Sequence, residues 1–291
     1  MSMLKNAIRR TLRRLLPVIG IRGRHTIADS IGKWAAPVPP IEMISVNEVT
    51  VEIDHRLSTC RHMYYGIYEE PFLNFLRRTL VPGDVFFDLG ANIGYITAVV
   101  SGLVKATGRV VSFEPSRICY DQIMRNNPEL PTNVQLRNAA IMHESGSFPF
   151  MDTPRVISSG FSVLFHERTA TTNDHVYEVE TTSLDDAASQ MGIDRIACIK
   201  IDIEGAEHIA IQGAGKLLSA QRVDHLLVET TNIVEQSRAE NKHIVDLLVG
   251  HGYEPFLPDR KGRLHPFVID LTSTFRHDIV WRRQGLVAMR N

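Results

Sequence analysis

The segment Asp88-Leu-Gly-Ala-Asn-Ile-Gly94 places a carboxylate and two glycines directly after an apolar run. Glycine lets a backbone turn sharply, adopt a positive φ and approach a ligand closely. In open α/β sheets, ligands bind beyond the carboxyl ends of the strands. We therefore predict a small-molecule site formed by Asp88, Gly90, Ala91, Asn92 and Gly94.

The charge of Asp88 indicates which small molecule this loop binds. A pyrophosphate favours bare backbone N–H groups at a helix N-terminus, and a neighbouring carboxylate would repel it. S-adenosylmethionine has no phosphate and carries an ammonium and a sulfonium group, which Asp88 would attract. An NAD-dependent oxidoreductase is the less favoured alternative, because the sequence has neither Gly-x-Gly-x-x-Gly nor Tyr-x-x-x-Lys.

Two further segments complete the predicted cofactor site. Glu114 and Pro115 follow an apolar run twenty residues after Gly94, where such folds bind ribose hydroxyls. Asn138 and Ala139 end the next apolar run and offer an amide and a small side chain to an adenine ring. The plainer interpretation is that Asp88 caps a helix and Glu114 is a surface acid.

A charged segment, Lys200-Ile-Asp-Ile-Glu-Gly-Ala-Glu-His208, ends a fourth apolar run. Unpaired buried charges cost several kcal/mol, so these side chains either pair together or face the cleft. We predict Asp202 as general base or anchor of the methyl acceptor, with Glu204, Glu207 and His208 as alternatives. Lys200 would keep Asp202 ionised or form a structural ion pair with it. Asp202 and Glu204 could also bind Mg²⁺, although no metal is expected.

Together these segments resemble the FkbM family of methyltransferases, over roughly residues 64–254. The family signatures are the Asp-x-Gly-Ala-Asn-x-Gly loop, the acid–Pro pair and the Lys-Ile-Asp-x-Glu-Gly-Ala-Glu segment; Gly66-Ile-Tyr-Glu69 also matches. The resemblance implies S-adenosylmethionine-dependent O-methylation of a sugar or another hydroxylated metabolite. It implies that Asp88 to Gly94 line the methionine end, Glu114 the ribose, and Asn138 to Ala140 the adenine. A non-catalytic binding or scaffold protein is the alternative, and no oligomeric state is predicted.

Alternating elements position these residues. Strands are predicted at 84–89, 109–113, 134–141, 198–203 and 225–229, and helices at 95–104, 117–126, 206–218 and 242–249. This alternation predicts an α/β fold with a doubly wound, mostly parallel, Rossmann-like sheet of the class I methyltransferase type.

We divide the chain into an N-terminal extension (1–40), a methyltransferase domain (41–258) and a basic C-terminal tail (259–291). Within the domain, residues 142–194 interrupt the alternation with short pieces at 147–151, 160–165 and 176–182, and form a candidate acceptor-binding element. The extension begins with a basic amphipathic helix and ends in the Pro-rich linker 36–41. We expect its apolar stripe to pack on the body or on another subunit; peripheral membrane contact through residues 3–16 and an organelle presequence are the alternatives.

The composition indicates the class of protein and the partners that it does not favour. The chain has 291 residues with 44% hydrophobic and 22% charged residues, which is typical of a globular protein. Its basic residues are concentrated at the two ends, so the acidic centre gives no reason to expect nucleic-acid binding. Three widely spaced cysteines and the lack of a long apolar run indicate a cytoplasmic protein, with the membrane contact as an option.

Overall fold

The protein is described by a computed structural model that covers residues 2–20, 22–152, 175–203 and 205–286. Its helices are α1 Ser2–Leu15, α2 Arg24–Ile27, α3 Ser58–Tyr64, α4 Glu70–Thr79, α5 Tyr95–Val104, α6 Arg117–Asn126, α7 Leu184–Gln190, α8 Glu207–Gln212, α9 Gly215–Ser219 and α10 Glu235–Gly250. Its strands are β1 Ile41–Val46, β2 Val49–Asp54, β3 Val85–Leu89, β4 Arg109–Phe113, β5 Val134–Arg137, β6 Ala139–Ile141, β7 Gly146–Asp152, β8 His175–Thr182, β9 Ile196–Ile201, β10 Val223–Asn232, β11 Tyr253–Pro258, β12 Leu264–Pro266 and β13 Phe275–Arg283.

The main sheet has eight strands in the order β5-β4-β3-β9-β10-β13-β11-β12. The strands from β5 to β10 run parallel, whereas β13 is antiparallel to both β10 and β11. The chain moves outward from β3 to β4 and β5, and later returns to place β9 on the other side of β3. The carboxyl ends of β3 and β9 therefore form the switch point at which such sheets bind ligands.

Helices cover both faces of this sheet, which explains its nearly uniform apolar strands. One core joins β1, β2, α4 and α5 to the sheet, and a second joins α7, α9 and α10. The predicted helices 95–104 and 117–126 coincide with α5 and α6. The start of α6 is fixed locally, because the Ser116 hydroxyl accepts a hydrogen bond from the Cys119 N–H at 3.1 Å. The predicted α/β, mostly parallel architecture with an N-terminal helix is confirmed.

The predicted third strand, residues 134–141, divides into two. After β5 the chain leaves the main sheet, and β6 joins a three-stranded sheet in the order β6-β8-β7. The predicted pieces 147–151 and 176–182 lie in β7 and β8, which are paired antiparallel. The piece at 160–165 lies outside the described residues.

The predicted boundary at residue 258 needs correction. Residues 275–283, which we placed in a basic tail, form β13 inside the main sheet. Ile279, Val280 and Trp281 of this strand are fully buried. The C-terminal segment is therefore part of the domain core, because its backbone completes the pairing between β10 and β11.

The N-terminal extension packs on the domain. Leu16 is 1% exposed, and Leu12 packs against the same core. Farther along, Arg24 forms a bidentate ion pair with the buried Glu70, which also accepts a hydrogen bond from Arg260 Nε at 2.8 Å. Of the described helices, none is both long and apolar enough to cross a bilayer.

Candidate active site

A cavity of about 740 Å³ opens at the carboxyl ends of β3, β4 and β9. One wall consists of the loop after β3 (residues 90–93), the turn after β4 (114–116) and the end of β9. A second wall comes from Tyr68 and Glu69, which precede α4, and from Arg276, His277 and Asp278 of β13. The predicted loop, Glu114, Lys200 and Asp202 thus share one cavity.

The loop after β3 has an unusual backbone. Gly90, Asn92 and Gly94 have φ values of 79°, 51° and 81°, so three of its residues lie in the left-handed region. A Cβ on Gly90 would lie 2.0 Å from the carbonyl oxygen of Asp202, which only glycine avoids. The chain thereby reverses within a few residues, and α5 begins immediately at Tyr95 with its N-terminus at the cavity.

Glu114 is held rigidly at the edge of this loop. Its Oε2 accepts the Asn92 N–H at 2.6 Å, and its Oε1 accepts the Ser116 N–H at 2.9 Å. Burial raises the pKa of Glu114 to about 7, although these two N–H groups act in the opposite direction. Each carboxylate oxygen has two lone pairs, so one acceptor position on each oxygen remains for a ligand hydroxyl.

Asp88 lies beneath the cavity and is completely inaccessible to solvent. Its Oδ2 accepts a hydrogen bond from the Thr97 hydroxyl at 2.7 Å, and its Oδ1 lies 3.4 Å from Lys200 Nζ without forming a hydrogen bond. Burial raises the pKa of the Asp88 carboxyl, and Lys200 opposes this shift. Asp88 therefore acts on the cavity through Lys200 in this structure, and its direct contact with a cofactor stays a prediction.

Lys200 connects the two central strands. Its Nζ lies 3.4 Å from Asp88 Oδ1 and 3.4 Å from Asp202 Oδ2, and it donates to the Gly90 carbonyl at 3.1 Å. Burial alone would lower the pKa of Lys200, but Asp202, Asp88 and Glu69 more than offset this and raise it. Lys200 is therefore a permanent cation that keeps Asp202 in place.

The residues predicted to flank an adenine lie beside this cavity. Asn138 Nδ2 donates to the carbonyl oxygens of Glu114 and Pro115 at 2.8 and 3.0 Å, and thus fixes the turn that carries Glu114. Ala139 lines a smaller apolar cavity that shares Gly90 and Pro115 with the main one. The small side chain leaves room there for a flat, apolar ring.

The remaining predicted catalytic residues differ in position. Glu204 lies outside the described residues. Glu207 accepts the N–H groups of Ile203 and Gly205 at 3.1 and 3.0 Å, so it shapes the loop after β9 rather than facing the cavity. His208 is likewise absent from the cavity lining. Among the described side chains, no cluster of three or more potential metal ligands is present.

Comparison with known proteins identifies the domain. The family model described as the methyltransferase FkbM domain matches residues 88–255, more than half of the chain. The chain belongs to the FkbM methyltransferase family. This match confirms the family and the cofactor, S-adenosylmethionine, that the sequence predicts.

Solved structures similar to this FkbM-family protein are distant. A methyltransferase FkbM from Methylobacillus flagellatus has 15% identity and a TM-score of 0.40; the match covers 89% of this chain but only 59% of that one. Fibrillarin from Aeropyrum pernix with bound S-adenosyl-L-methionine has 10% identity and a TM-score of 0.39, covering 70% and 68%. An S-adenosylmethionine-dependent O-methyltransferase from Thermotoga maritima has 14% identity and a TM-score of 0.39, covering 83% and 77%. No curated protein sequence matches the chain.

The cavity of this FkbM domain fits S-adenosylmethionine chemically. Glu114 offers two free acceptor positions to a ribose, and the apolar cavity at Ala139 offers a surface for the base. Negative charge from Asp202, Glu69 and Asp278 exceeds the positive charge of Lys200, which suits a cation. At Gly90 the loop lies close to the carbonyl oxygen of Asp202, and without a side chain there its backbone can approach a ligand.

The second wall of the cavity is not predicted from the sequence. Glu69 belongs to the Gly66–Glu69 motif but has no predicted role there, and Asp278 lies in the predicted tail. Asp152 was missed as well: it accepts hydrogen bonds from the hydroxyls of Ser116 and Tyr177, both at 2.8 Å, and lines the cavity. The one usable signal was the acid at the end of the Gly66–Glu69 motif, because a carboxylate directly before an apolar helix needs a polar environment.

Proposed function

We propose that this protein transfers the methyl group of S-adenosylmethionine to a hydroxyl of a sugar or another small metabolite. The observation that supports this proposal most directly is that one cavity has the cofactor loop and Glu114 on one wall and carboxylates on the other. A cofactor and an acceptor bound there would share a single enclosure. Methyl transfer is an in-line displacement, so most of its catalysis can come from such positioning.

Each residue has a defined part in this proposal. The loop 90–94 and Glu114 bind the cofactor, with Asn138 holding the Glu114 turn and Ala139 beside the base. Asp202 anchors the acceptor hydroxyl as a hydrogen-bond acceptor, and Lys200 holds Asp202 in place through their ion pair. Glu204, two residues farther on, keeps its predicted role as a candidate acceptor contact.

The wall that contains Glu69 and Asp278 would meet the acceptor and is called the acceptor wall below. Its charge favours a neutral, hydroxylated acceptor. Glu69, Glu229 and Asp278 all line it, and the cation Arg276 donates to Glu229 Oε1 from both Nε, at 3.0 Å, and Nη2, at 2.5 Å. Carboxylates accept hydrogen bonds from hydroxyl groups and repel phosphates and other carboxylates. We therefore expect polyols and sugars to bind better than phosphorylated or acidic metabolites.

Calorimetry tests the cofactor part of the proposal. Purified protein is titrated with S-adenosylmethionine, with S-adenosylhomocysteine and with NAD. We expect both adenosyl ligands to bind and NAD not to bind, and we expect Glu114→Ala to abolish binding while the exposed Glu129→Gln retains it. Absence of binding to the folded wild-type protein contradicts the proposal.

An acceptor screen tests the second part. Transfer of a labelled methyl group is measured on neutral sugars, sugar phosphates and hydroxylated metabolites. We expect the highest transfer with neutral hydroxylated compounds. Cofactor binding without transfer to any acceptor would instead favour a binding or scaffold protein that has kept the cofactor site.

The N-terminal helix gives a testable proposal about location. Leu12 and Leu16 pack on the domain, but Leu4, Leu15 and Val18 are 61%, 44% and 76% exposed. Exposed arginines on the same helix would attract anionic lipid headgroups. We propose weak peripheral membrane contact through residues 3–16, tested by co-sedimentation with vesicles containing phosphatidylserine. Equal sedimentation of wild type and Leu4→Glu/Leu15→Glu would contradict it.

A further inference from the structure

Glu69 occupies a special position in the cavity. It directly precedes α4, its backbone is left-handed with φ 40°, and it lines the same cavity as the loop after β3. This conformation is unfavourable for a non-glycine residue and persists only when the surrounding structure holds it. Glu70 holds this part of the chain in place, because Arg24 and Arg260, from the two ends of the chain, both bind its carboxylate.

The charges around Glu69 come from three elements. Tyr68 lies beside it on its own segment, Asp278 faces it from β13, and Asp202 and Lys200 face it from the end of β9. Lys200 is already shared between Asp88 and Asp202 at 3.4 Å each. In the described part of the chain, no cation forms an ion pair with Glu69 or Asp278. These two carboxylates therefore differ from Asp202 and Glu229, each of which is paired with a cation at the same cavity.

We propose that Glu69, backed by Asp278, is the proton acceptor for the acceptor hydroxyl, and that binding of the cationic cofactor converts it from its protonated to its ionised form. This inference rests on the proposed function. In the reaction, the hydroxyl proton moves to Glu69 while the hydroxyl oxygen forms the new O–C bond. The C–S bond breaks with its electron pair remaining on sulfur, and Glu69 later releases its proton to solvent.

The electrostatics agree with this role. Partial burial, then the charges of Asp278 and Asp202, raise the pKa of Glu69 to about 7, with Lys200 acting in the opposite direction. A base is most effective when its pKa lies near the operating pH. A positive charge entering the cavity lowers that pKa, so cofactor binding leaves Glu69 ready to accept a proton. Asp202 is less suited to this step, because Lys200 already holds it as an ion pair.

The experiment measures protons released on binding and needs no acceptor. S-adenosylmethionine and S-adenosylhomocysteine are each titrated calorimetrically into wild-type protein near neutral pH, in buffers of different ionisation enthalpy. Only the first ligand carries the sulfonium charge. The pKa values of Glu114 and Glu207 are also raised to about 7. Glu114 would meet the same ribose in both titrations and Glu207 does not face the cavity, so their contribution largely cancels in the difference.

We expect S-adenosylmethionine to release up to about half a proton more than S-adenosylhomocysteine near pH 7, since a group with a pKa of about 7 is half protonated there. Glu69→Gln should remove this extra release, while Glu69→Asp and the exposed control Glu129→Gln should keep it. An unchanged difference in Glu69→Gln, with both ligands bound, overturns the proposal.

A second variant protects the test against misfolding of Glu69→Gln. Asp278→Asn removes a negative charge that raises the pKa of Glu69, so the extra release should move to lower pH. An extra release that stays at the same pH in Asp278→Asn also overturns the proposal. If the folded wild-type protein binds neither ligand, the proposed function itself has failed, which is a distinct result.

Discussion

Replacing Lys200 with methionine tests whether one cation supports both central strands. Lys200 is 5% exposed at its side chain, Asp88 is fully buried, and Lys200 Nζ lies 3.4 Å from Asp88 and from Asp202. Removing one partner from a buried ion pair costs about 3–5 kcal/mol, because the other charge stays buried without compensation. Asp202 is 29% exposed and can be hydrated, so we assign most of this cost to Asp88 and expect a loss of about 3 kcal/mol near neutral pH.

The pH dependence separates this explanation from lost packing. Without Lys200, the pKa of Asp88 in the folded protein rises further above its unfolded value. A carboxyl with a raised folded pKa contributes stability that is present below the unfolded pKa and lost as pH rises through the folded pKa. Lys200→Met should therefore approach the wild-type free energy of unfolding as pH falls from about 7 to about 5.

Urea unfolding at both pH values, followed by circular dichroism, measures these differences. The double variant Lys200→Met/Asp88→Asn removes the buried negative charge and should regain most of the lost stability near neutral pH. A loss below about 1 kcal/mol, or a gap that does not narrow at lower pH, would refute the assignment of Lys200 as the shared counter-ion.

Three further predictions concern the loop, the cofactor and the chain ends. Gly90→Ala should destabilise the fold by about 3 kcal/mol or more in urea, because its Cβ would lie 2.0 Å from a backbone carbonyl, whereas Gly215→Ala, with no atom within 4 Å, should not. Glu114→Gln should weaken S-adenosylhomocysteine about 10- to 100-fold in calorimetry, and an unchanged Kd would exclude Glu114 as a ribose ligand. Glu70→Gln should cost about 3 kcal/mol in urea unfolding, because Arg24 is left buried without its partner; a loss within experimental error would show that the two chain ends are not held by this carboxylate.

The features predicted correctly are those encoded in local sequence. α5 and α6 match because apolar periodicity and the Ser116 cap define them within a few residues. β3 and β4 match because their apolar runs end in the glycine loop and at Glu114. The residues of the cofactor wall are predictable for the same reason, because each of them lies at or directly after the end of a parallel strand.

The features missed depend on long-range pairing. β13 has a short apolar stretch, Ile279–Trp281, flanked by charged residues, and its position depends on pairing with β10 and β11, which are distant in sequence. Nothing near residue 278 indicates that Asp278 will stand opposite Glu229 across two strands. The division of residues 134–141 at Asn138 was missed for a similar reason, because its amide bonds to the Glu114 turn, far away in sequence.

Two carboxylates of the acceptor wall lie outside the matched family segment, residues 88–255, whereas Glu229 lies within it. Glu69 precedes that segment, and Asp278 follows it. Arg24 and Arg260 converge on Glu70, so the extension and the β11–β12 turn together hold the segment that carries Glu69. The matched segment contains the cofactor wall, Glu229 and the Lys200–Asp202 pair, whereas Glu69 and Asp278 come from the segments before and after it. The cavity is therefore completed by chain segments on both sides of the matched segment, and the match alone does not contain all of its carboxylates.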